Sequence, residues 1–594
     1  MLSLLRLVLP VGCIGVLCLL SLGVIFQGAL LQGELPIVLI SLLVFIVTLA
    51  WLWDRKWLAT QPLQSRLFYL FGLLIPLSSM IGMEVTLCVG VCITGYAIMK
   101  DRRLFPWYGF ACVLYLIVWG FSTLILELPN LHWFSRKEGW SPLLGVQSLL
   151  QLSFAVLLFV AFALFRIWSL IGDARIASTR GIIIGGLCGL TLSLIQVLSS
   201  THHIFERIIP EFPRQTLLWN SLGRSVGTFT DPNAYGIFCG LFIGLLLIAR
   251  VEPPIKSPAW QRLFLPGMLL SLLGGGFSGS RTFFLFLGGF AASYLIISLI
   301  YSENGRTRSQ HLALISASIL ILCALIFGID MAAMVRVRET LVALMQGDLS
   351  LIENRMYFSQ LCFEAFRSFP VFGVGPLQFP IYVTSFSDKL QIPLGLWVDN
   401  TNNTYLGIVA EFGLVGLLIL FLGFSSARIR FQQNLSLKLD YVRIAVAAYI
   451  SFALILILGP HYLFPEVLLT FVLLLAMRLE IAEYRRMPLL MSILVVLAFT
   501  PATFLAAARS ELGLFTWEIA PETGETFRWT QERFRTWILC SENENGEHSA
   551  ALDLRNGSPR PQKIILQAQG GGERVVAVTS GERATARFEC PAAN

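Results

Sequence analysis

Asn403-Thr404-Tyr405-Leu406-Gly407-Ile408-Val409-Ala410-Glu411-Phe412-Gly413-Leu414-Val415-Gly416-Leu417-Leu418-Ile419-Leu420-Phe421-Leu422-Gly423-Phe424 carries one charged side chain, Glu411. A run of this length and apolarity meets the ~20 residues a helix needs to cross a bilayer core. Comparable runs recur along most of the chain, and predict spans near 7–29, 36–53, 67–82, 84–99, 104–126, 142–168, 181–199, 232–249, 263–277, 282–301, 312–329, 403–424, 444–459, 466–478 and 488–507. A hydrophobic fraction of 56%, 13% charged residues and a mean hydropathy of +0.73 exclude a soluble globular class. Helices are the expected spanning element, because backbone groups in lipid must be satisfied internally and alternating barrel patterns are absent.

Charge sets the orientation. Asp54-Arg55-Lys56, Lys100-Asp101-Arg102-Arg103, Arg175 with Arg180, Arg250 to Arg262, Arg306 with Arg308, Arg428 to Arg443 and Arg485-Arg486 share one side only if 67–99 is two spans. Such an excess of Lys and Arg marks the cytoplasmic face. The N-terminus is then cytoplasmic, while the 200–231 loop, the 330–402 loop and the chain from 508 onward are external. The first apolar run exceeds the core of a usual signal peptide. The formal charge of +7 is accounted for by cytoplasmic anchoring and does not call for nucleic acid.

Most of the eleven cysteines are scattered through spans, where Cys is a small apolar residue. Cys540 and Cys590 are external, and an oxidising compartment would let them pair as a disulfide. No metal-ligand spacing, Walker loop or dinucleotide fingerprint occurs, so neither a metal nor a cofactor is expected.

Polar groups at membrane depth point to function. Gly223-Arg224-Ser225-Val226-Gly227-Thr228-Phe229-Thr230-Asp231-Pro232-Asn233 leads into a span, and its Asp-Pro-Asn also suits an ordinary helix cap. Ser278-Gly279-Ser280-Arg281-Thr282 joins two spans; a helix starting near Ser280 would aim N–H groups and Arg281 at a phosphate, though a tight turn with a snorkelling Arg reads equally well. In the long external loop, Arg355 to Phe366 reads as an amphipathic helix, ended by Phe369-Pro370-Val371-Phe372-Gly373-Val374-Gly375-Pro376. It would be a structural cover or a lid over a lipid-linked substrate. Asp399-Asn400-Thr401-Asn402-Asn403 then offers more amide and acid groups than capping requires.

These four elements, in order, resemble the O-antigen ligase and O-antigen polymerase superfamily of bacterial envelope glycosyltransferases. The motifs are carried by Gly227, Phe229, Pro232 and Asn233; by Ser280 and Arg281; by Arg355, Pro370, Gly373 and Gly375; and by Asn403, Tyr405, Leu406, Glu411 and Gly413. The match covers roughly residues 220–425. The resemblance implies an inner-membrane enzyme that moves a glycan from a polyprenyl diphosphate to an acceptor at the periplasmic face, with inversion and without metal or nucleotide. The acceptor would be a glycan, a lipid or a protein. Arg224, Arg281 and Arg355 would hold the diphosphate and stabilise its leaving charge. Asn402, Asn403, Asn233, Tyr405 and Ser280 would contact substrate.

One position departs from the family. Its usual candidate base is a His just before the Asn of the last motif, and here Asn402 stands there. An amide cannot take a proton from an acceptor hydroxyl. Either Asp399 or His461 takes that role, or proton transfer matters little, or the chain no longer catalyses. The rival reading is therefore a catalytically silent glycolipid-binding protein or a polysaccharide transporter.

Beyond Trp517 the texture changes to short β-like runs separated by Asn556-Gly557, Gly570-Gly571-Gly572 and Ser580-Gly581. The expected fold class is thus an all-α polytopic membrane protein of about 15 transmembrane helices with a small C-terminal β-sandwich-like periplasmic domain. Residues 1–507 form the helical domain and 508–594 the β-rich one.

Overall fold

The computed structural model describes residues 35–127, 147–198, 224–229, 231–250, 257–301, 350–380, 403–431 and 439–509, scattered single residues between these, and short strands between 512 and 589. The predicted spans 7–29 and 312–329 lie outside the described residues, as do Asp399, Asn402, Cys540 and Cys590.

Described in chain order, the helices are α1 (Leu35–Thr60), α2 (Leu63–Leu74), α3 (Met83–Lys100), α4 (Trp107–Glu127), α5 (Gln147–Leu170), α6 (Gly172–Leu198), α7 (Pro232–Ala249), α8 (Pro258–Phe277), α9 (Arg281–Tyr301), α10 (Ser350–Ser368), α11 (Thr404–Ser425), α12 (Leu439–Ile455), α13 (Pro465–Ala476) and α14 (Arg486–Arg509). Among the described residues, seven helices are long and apolar enough to cross a membrane, within α4, α5, α6, α7, α9, α11 and α14. Shorter apolar helices cover Leu63–Leu77, Val85–Lys100, Val442–Leu458 and Pro465–Ala476.

The 67–99 region is two helices. A 3-10 turn at Ile75–Leu77 and one α-turn at Ser78–Ile81 end the first, and Gly82 at φ 96° reverses the chain. The ring of Phe71 then lies beside Gly90, as an antiparallel pair requires. Helix α6 begins at Gly172, nine residues before the expected 181. The charged segment that reads as a loop is helical because its charges are accommodated. Asp173 sits in the first turn, where the helix dipole favours an anion. Arg180 is buried between the rings of Trp57 and Trp260, 4.3 and 4.8 Å from their centroids, and its Nη1 lies 3.4 Å from Asp54 Oδ1. Main chains of α2 and α6 touch: a Cβ at Gly72 would meet the Ser178 carbonyl oxygen at 2.4 Å, and one at Gly181 the Tyr69 oxygen at 2.1 Å. Small residues at such a crossing are the usual means of close helix packing in lipid.

Two features have no counterpart in the sequence reading. The first is an antiparallel pair of strands, β1 (Ala427–Phe431) and β2 (Leu479–Tyr484), which sets Arg428 opposite Glu483 and Arg430 opposite Glu480. Opposite charges at Arg430 and Glu480 favour that register. The second is a break within α11. Gly413 adopts φ 58° and ψ −166° in the middle of the helix, and the turn after α10 fills the gap. The N–H groups of Val374 and Gly375 donate to the carbonyls of Ala410 and Glu411 at 2.9 and 3.0 Å, and those of Leu414 and Val415 donate to Pro370 and Val371 at 2.9 and 3.0 Å. Backbone groups freed by a break at membrane depth must find partners within the protein, and this turn supplies them. A small separate core of Phe358, Leu361, Cys362, Ala365, Val374, Phe379, Tyr382, Val383 and Ala410 fastens α10 to the same place.

In the C-terminal region, Gln562–Gln567 pairs with Glu573–Val578, and Ser541–Glu542, His548–Arg555 and Arg583–Glu589 form a three-stranded antiparallel sheet.

Candidate functional site

The approach to α7 and the α8–α9 turn are built against each other. Asp231 caps α7: its Oδ1 accepts the N–H groups of Asn233 and Ala234, both at 2.7 Å. Asn233, thus fixed in the first turn, accepts from Arg224 Nη2 at 3.2 Å and from Ser280 Oγ at 3.2 Å through the same Oδ1. Arg224 Nε donates to the Ser278 carbonyl at 2.7 Å, and Ser225 N to the Phe277 carbonyl at 3.0 Å. Arg224 and Ser280 are both buried. The Ser280 hydroxyl also pairs with that of Thr282. Asn233 and Ser280, expected as substrate contacts, therefore have their oxygen atoms engaged in holding Arg224 and the start of α9.

Arg281 is the first residue of α9. Arg355 comes from α10, and is not the opening residue of that helix as the motif suggests: α10 starts at Ser350, which places Arg355 in its second turn. Arg355 Nη1 donates to the Leu458 carbonyl at 3.2 Å. Burial, and then the charge of Arg281, lower its pKa below the ordinary guanidinium range. Two cations from segments far apart in sequence thus share one neighbourhood, with like charges facing a partly dehydrated space.

The turn from Leu458 to Leu463 closes this neighbourhood. Thr404 Oγ1 donates to the Gly459 carbonyl at 2.7 Å. His461 lies in a 3-10 turn, 7% exposed, and its Nε2 has no hydrogen-bond partner among the described residues. Burial, and then the charge of Arg355, bring its pKa down to about 3. The imidazole is neutral at physiological pH, and its Nε2 is buried.

Asn403 is the N-cap of α11: its Oδ1 accepts the Leu406 N–H at 3.1 Å, and its carbonyl accepts Thr401 Oγ1 at 3.0 Å. Tyr405 is half exposed and donates to the Ala453 carbonyl at 2.8 Å. Asn403 thus serves the helix start, and Tyr405 ties α11 to α12. Glu411 is buried, and its Oε1 accepts the Phe379 N–H at 3.3 Å. Sequence reasoning assigned no role to this side chain, and the adjoining Gly413 was the visible sign that the main chain is special here.

Residues 266–421 match the O-antigen ligase family. The matched segment holds the α8–α9 turn with Arg281, helix α10 with Arg355, the Pro370–Gly375 turn and most of α11. This agrees with the resemblance carried by the motifs. Arg224, Asn233 and His461 lie outside the matched residues, yet the first two bond to the segment and the third abuts it. No curated protein matches the chain significantly.

Proposed function

We propose that this bacterial membrane protein is a glycosyltransferase that moves a glycan from a polyprenyl diphosphate onto a hydroxyl acceptor at the periplasmic face. The observation that carries the reading is the juxtaposition of Arg281 and Arg355 beside the His461 turn, with Arg224 held against the Ser278–Arg281 corner. A diphosphate suits the planar donor fork of arginine, and two neighbouring guanidinium groups would engage it together.

In the reaction, the acceptor oxygen attacks the sugar carbon opposite the diphosphate. The carbon–oxygen bond to phosphate breaks, and polyprenyl diphosphate leaves with the electron pair. The configuration inverts. Negative charge grows on the leaving oxygen, where the arginines stabilise it without a metal. The acceptor proton passes to His461 Nε2 or to Asp399. A pKa near 3 makes His461 a weak base in the free protein. Bound diphosphate offsets the charge of Arg355 and so raises the basicity of His461 when substrate is present. The reading includes a cytoplasmic N-terminus, about 15 spans, and an external β-sandwich-like domain at 508–594.

Asn402, in place of the family histidine, favours the second reading, a silent glycolipid-binding protein or transporter. Deletion of the gene followed by analysis of surface glycan separates the readings. Shortened chains indicate a polymerase, and full-length unattached glycan a ligase. Purified wild-type chain that binds lipid-linked glycan without turnover would overturn the enzyme assignment.

A further inference from the structure

Helix α10 carries Arg355 but lies outside the membrane spans, so something must fix its position against the His461 turn. The main-chain splice at Gly413 fixes only residues 370–375. The segment that follows, Pro376 to Phe379, leads into the small core under α10, where Phe379 is fully buried against Phe358, Leu361 and Val383. Its register is held from two sides. Gln151 of α5 donates through Nε2 to the Pro376 carbonyl at 2.9 Å. Glu411 of α11 accepts the Phe379 N–H at 3.3 Å. Leu377, between these contacts, takes φ 59°, a conformation a leucine holds only when its surroundings impose it.

Glu411 also faces the other wall of the site. After burial, its carboxylate is the next cause that raises the pKa of the Tyr462 phenol, and Tyr462 adjoins His461 in the same 3-10 turn. The side chain thus stands between the core that supports Arg355 and the turn that carries His461. Placing a carboxylate there, just before the helix break, costs desolvation that a simple packing residue would avoid.

We infer that Glu411 is a positioning residue: its carboxylate pins the Phe379 segment to α11 and so sets Arg355 at working distance from His461. The inference rests on the transferase reading for its kinetic consequence, but the pin itself is a statement about structure.

The test uses the purified full chain in nanodiscs with Glu411→Ala, Glu411→Gln and Glu411→Asp. Hydrogen exchange of the peptide covering Gly375–Val383 reports the pin without reference to activity. Exchange should quicken in the Ala variant, stay near wild type in Gln, which keeps an acceptor oxygen at the same reach, and quicken in Asp, which keeps the charge but is one methylene shorter. Transfer from a lipid-linked oligosaccharide donor should follow the same order. The Ala and Asp variants should fall by about 10²-fold, the scale of a 1 Å misplacement, with Gln rescuing most of the loss. If Gln transfers as poorly as Ala while its exchange matches wild type, the carboxylate acts through charge or proton chemistry and the positioning role is wrong. Wild-type exchange in the Ala variant would also overturn it. If wild-type chain transfers no glycan, the transferase reading falls and the exchange data still decide the pin.

Discussion

Gly373→Ala tests the splice between the loop and α11 most directly. Gly373 sits at φ 69°, and a Cβ there would lie 2.4 Å from the carbonyl carbon and oxygen of Glu411 and 2.5 Å from the Ala410 oxygen. All three atoms are main chain in the middle of the splice, so none can rotate away. The left-handed backbone costs an L-residue ~1–2 kcal/mol, and overpacking a well-filled site adds ~1–3 kcal/mol. The expected destabilisation is therefore ~2–5 kcal/mol. Gly288→Ala is the control, because a Cβ there meets nothing within 4 Å and the residue lies inside α9. Alanine in a helix interior should stabilise by ~0.5–1 kcal/mol. Thermal unfolding of both variants in one detergent, read by fluorescence-detected size exclusion, gives the comparison. Hydrogen exchange across Ala410–Val415 shows whether the loss is local. A Gly373→Ala protein that melts at or above the Gly288→Ala protein would refute the argument.

Further outcomes follow from the site. Replacing Arg224, Arg281 or Arg355 by Ala should abolish glycan transfer at normal expression, with Lys a poor substitute because it lacks the planar fork; full activity in any Ala variant removes that residue from the diphosphate site. His461→Ala should lower transfer by ~10²–10⁴-fold if it is the base, and equal activity would shift that role to Asp399. His461 also affects acid stability: its folded pKa of about 3 lies below the ordinary value, so the unfolded chain binds the proton more readily. Its contribution is present above the unfolded pKa of ~6.5 and is lost as pH falls toward the folded value; stability measured through that window should fall less steeply in His461→Ala. Cysteines introduced near Ser387 should react with an impermeant reagent on intact cells and those near Arg306 should not, the reverse pattern overturning the orientation. Non-reducing mass mapping should find Cys540 joined to Cys590, and free thiols at both would exclude the bond.

The legible parts of the chain were those where one side chain decides local structure. Asp231-Pro232-Asn233 marks the start of α7 to the residue, because an Asp cap and a Pro in the first turn are fixed by local chemistry. The Arg-rich start of α6 misled the reading, because the partners that let Arg180 enter a helix, Trp57, Trp260 and Asp54, come from distant segments. Gly373, Gly375 and Gly413 were visible as motif positions, but a main-chain splice leaves no side-chain pattern beyond its glycines. The internal bonds of Asn233, Ser280 and Asn403 were hidden for a related reason. A polar side chain that orients another group has the same sequence signature as one that binds substrate, and its partners inside the protein come from segments distant in sequence or from the main chain.

The splice at Gly413 divides the segment between α10 and α11 into two regimes of sequence drift. Between Pro370 and Gly375 the chain is tied atom to atom into a membrane helix, so one inserted or deleted residue there would misalign every main-chain bond that bridges the break. Side chains make none of those bonds, so residue identity at Val371, Phe372 and Val374 answers only to packing. Tyr382 and Val383 still belong to the small core under α10, and a change of length beyond them leaves the splice undisturbed. The stretch between Val383 and Thr401 can therefore be lengthened or recast while the splice keeps its geometry, and grafts between relatives should be cut after Val383 and before Thr401.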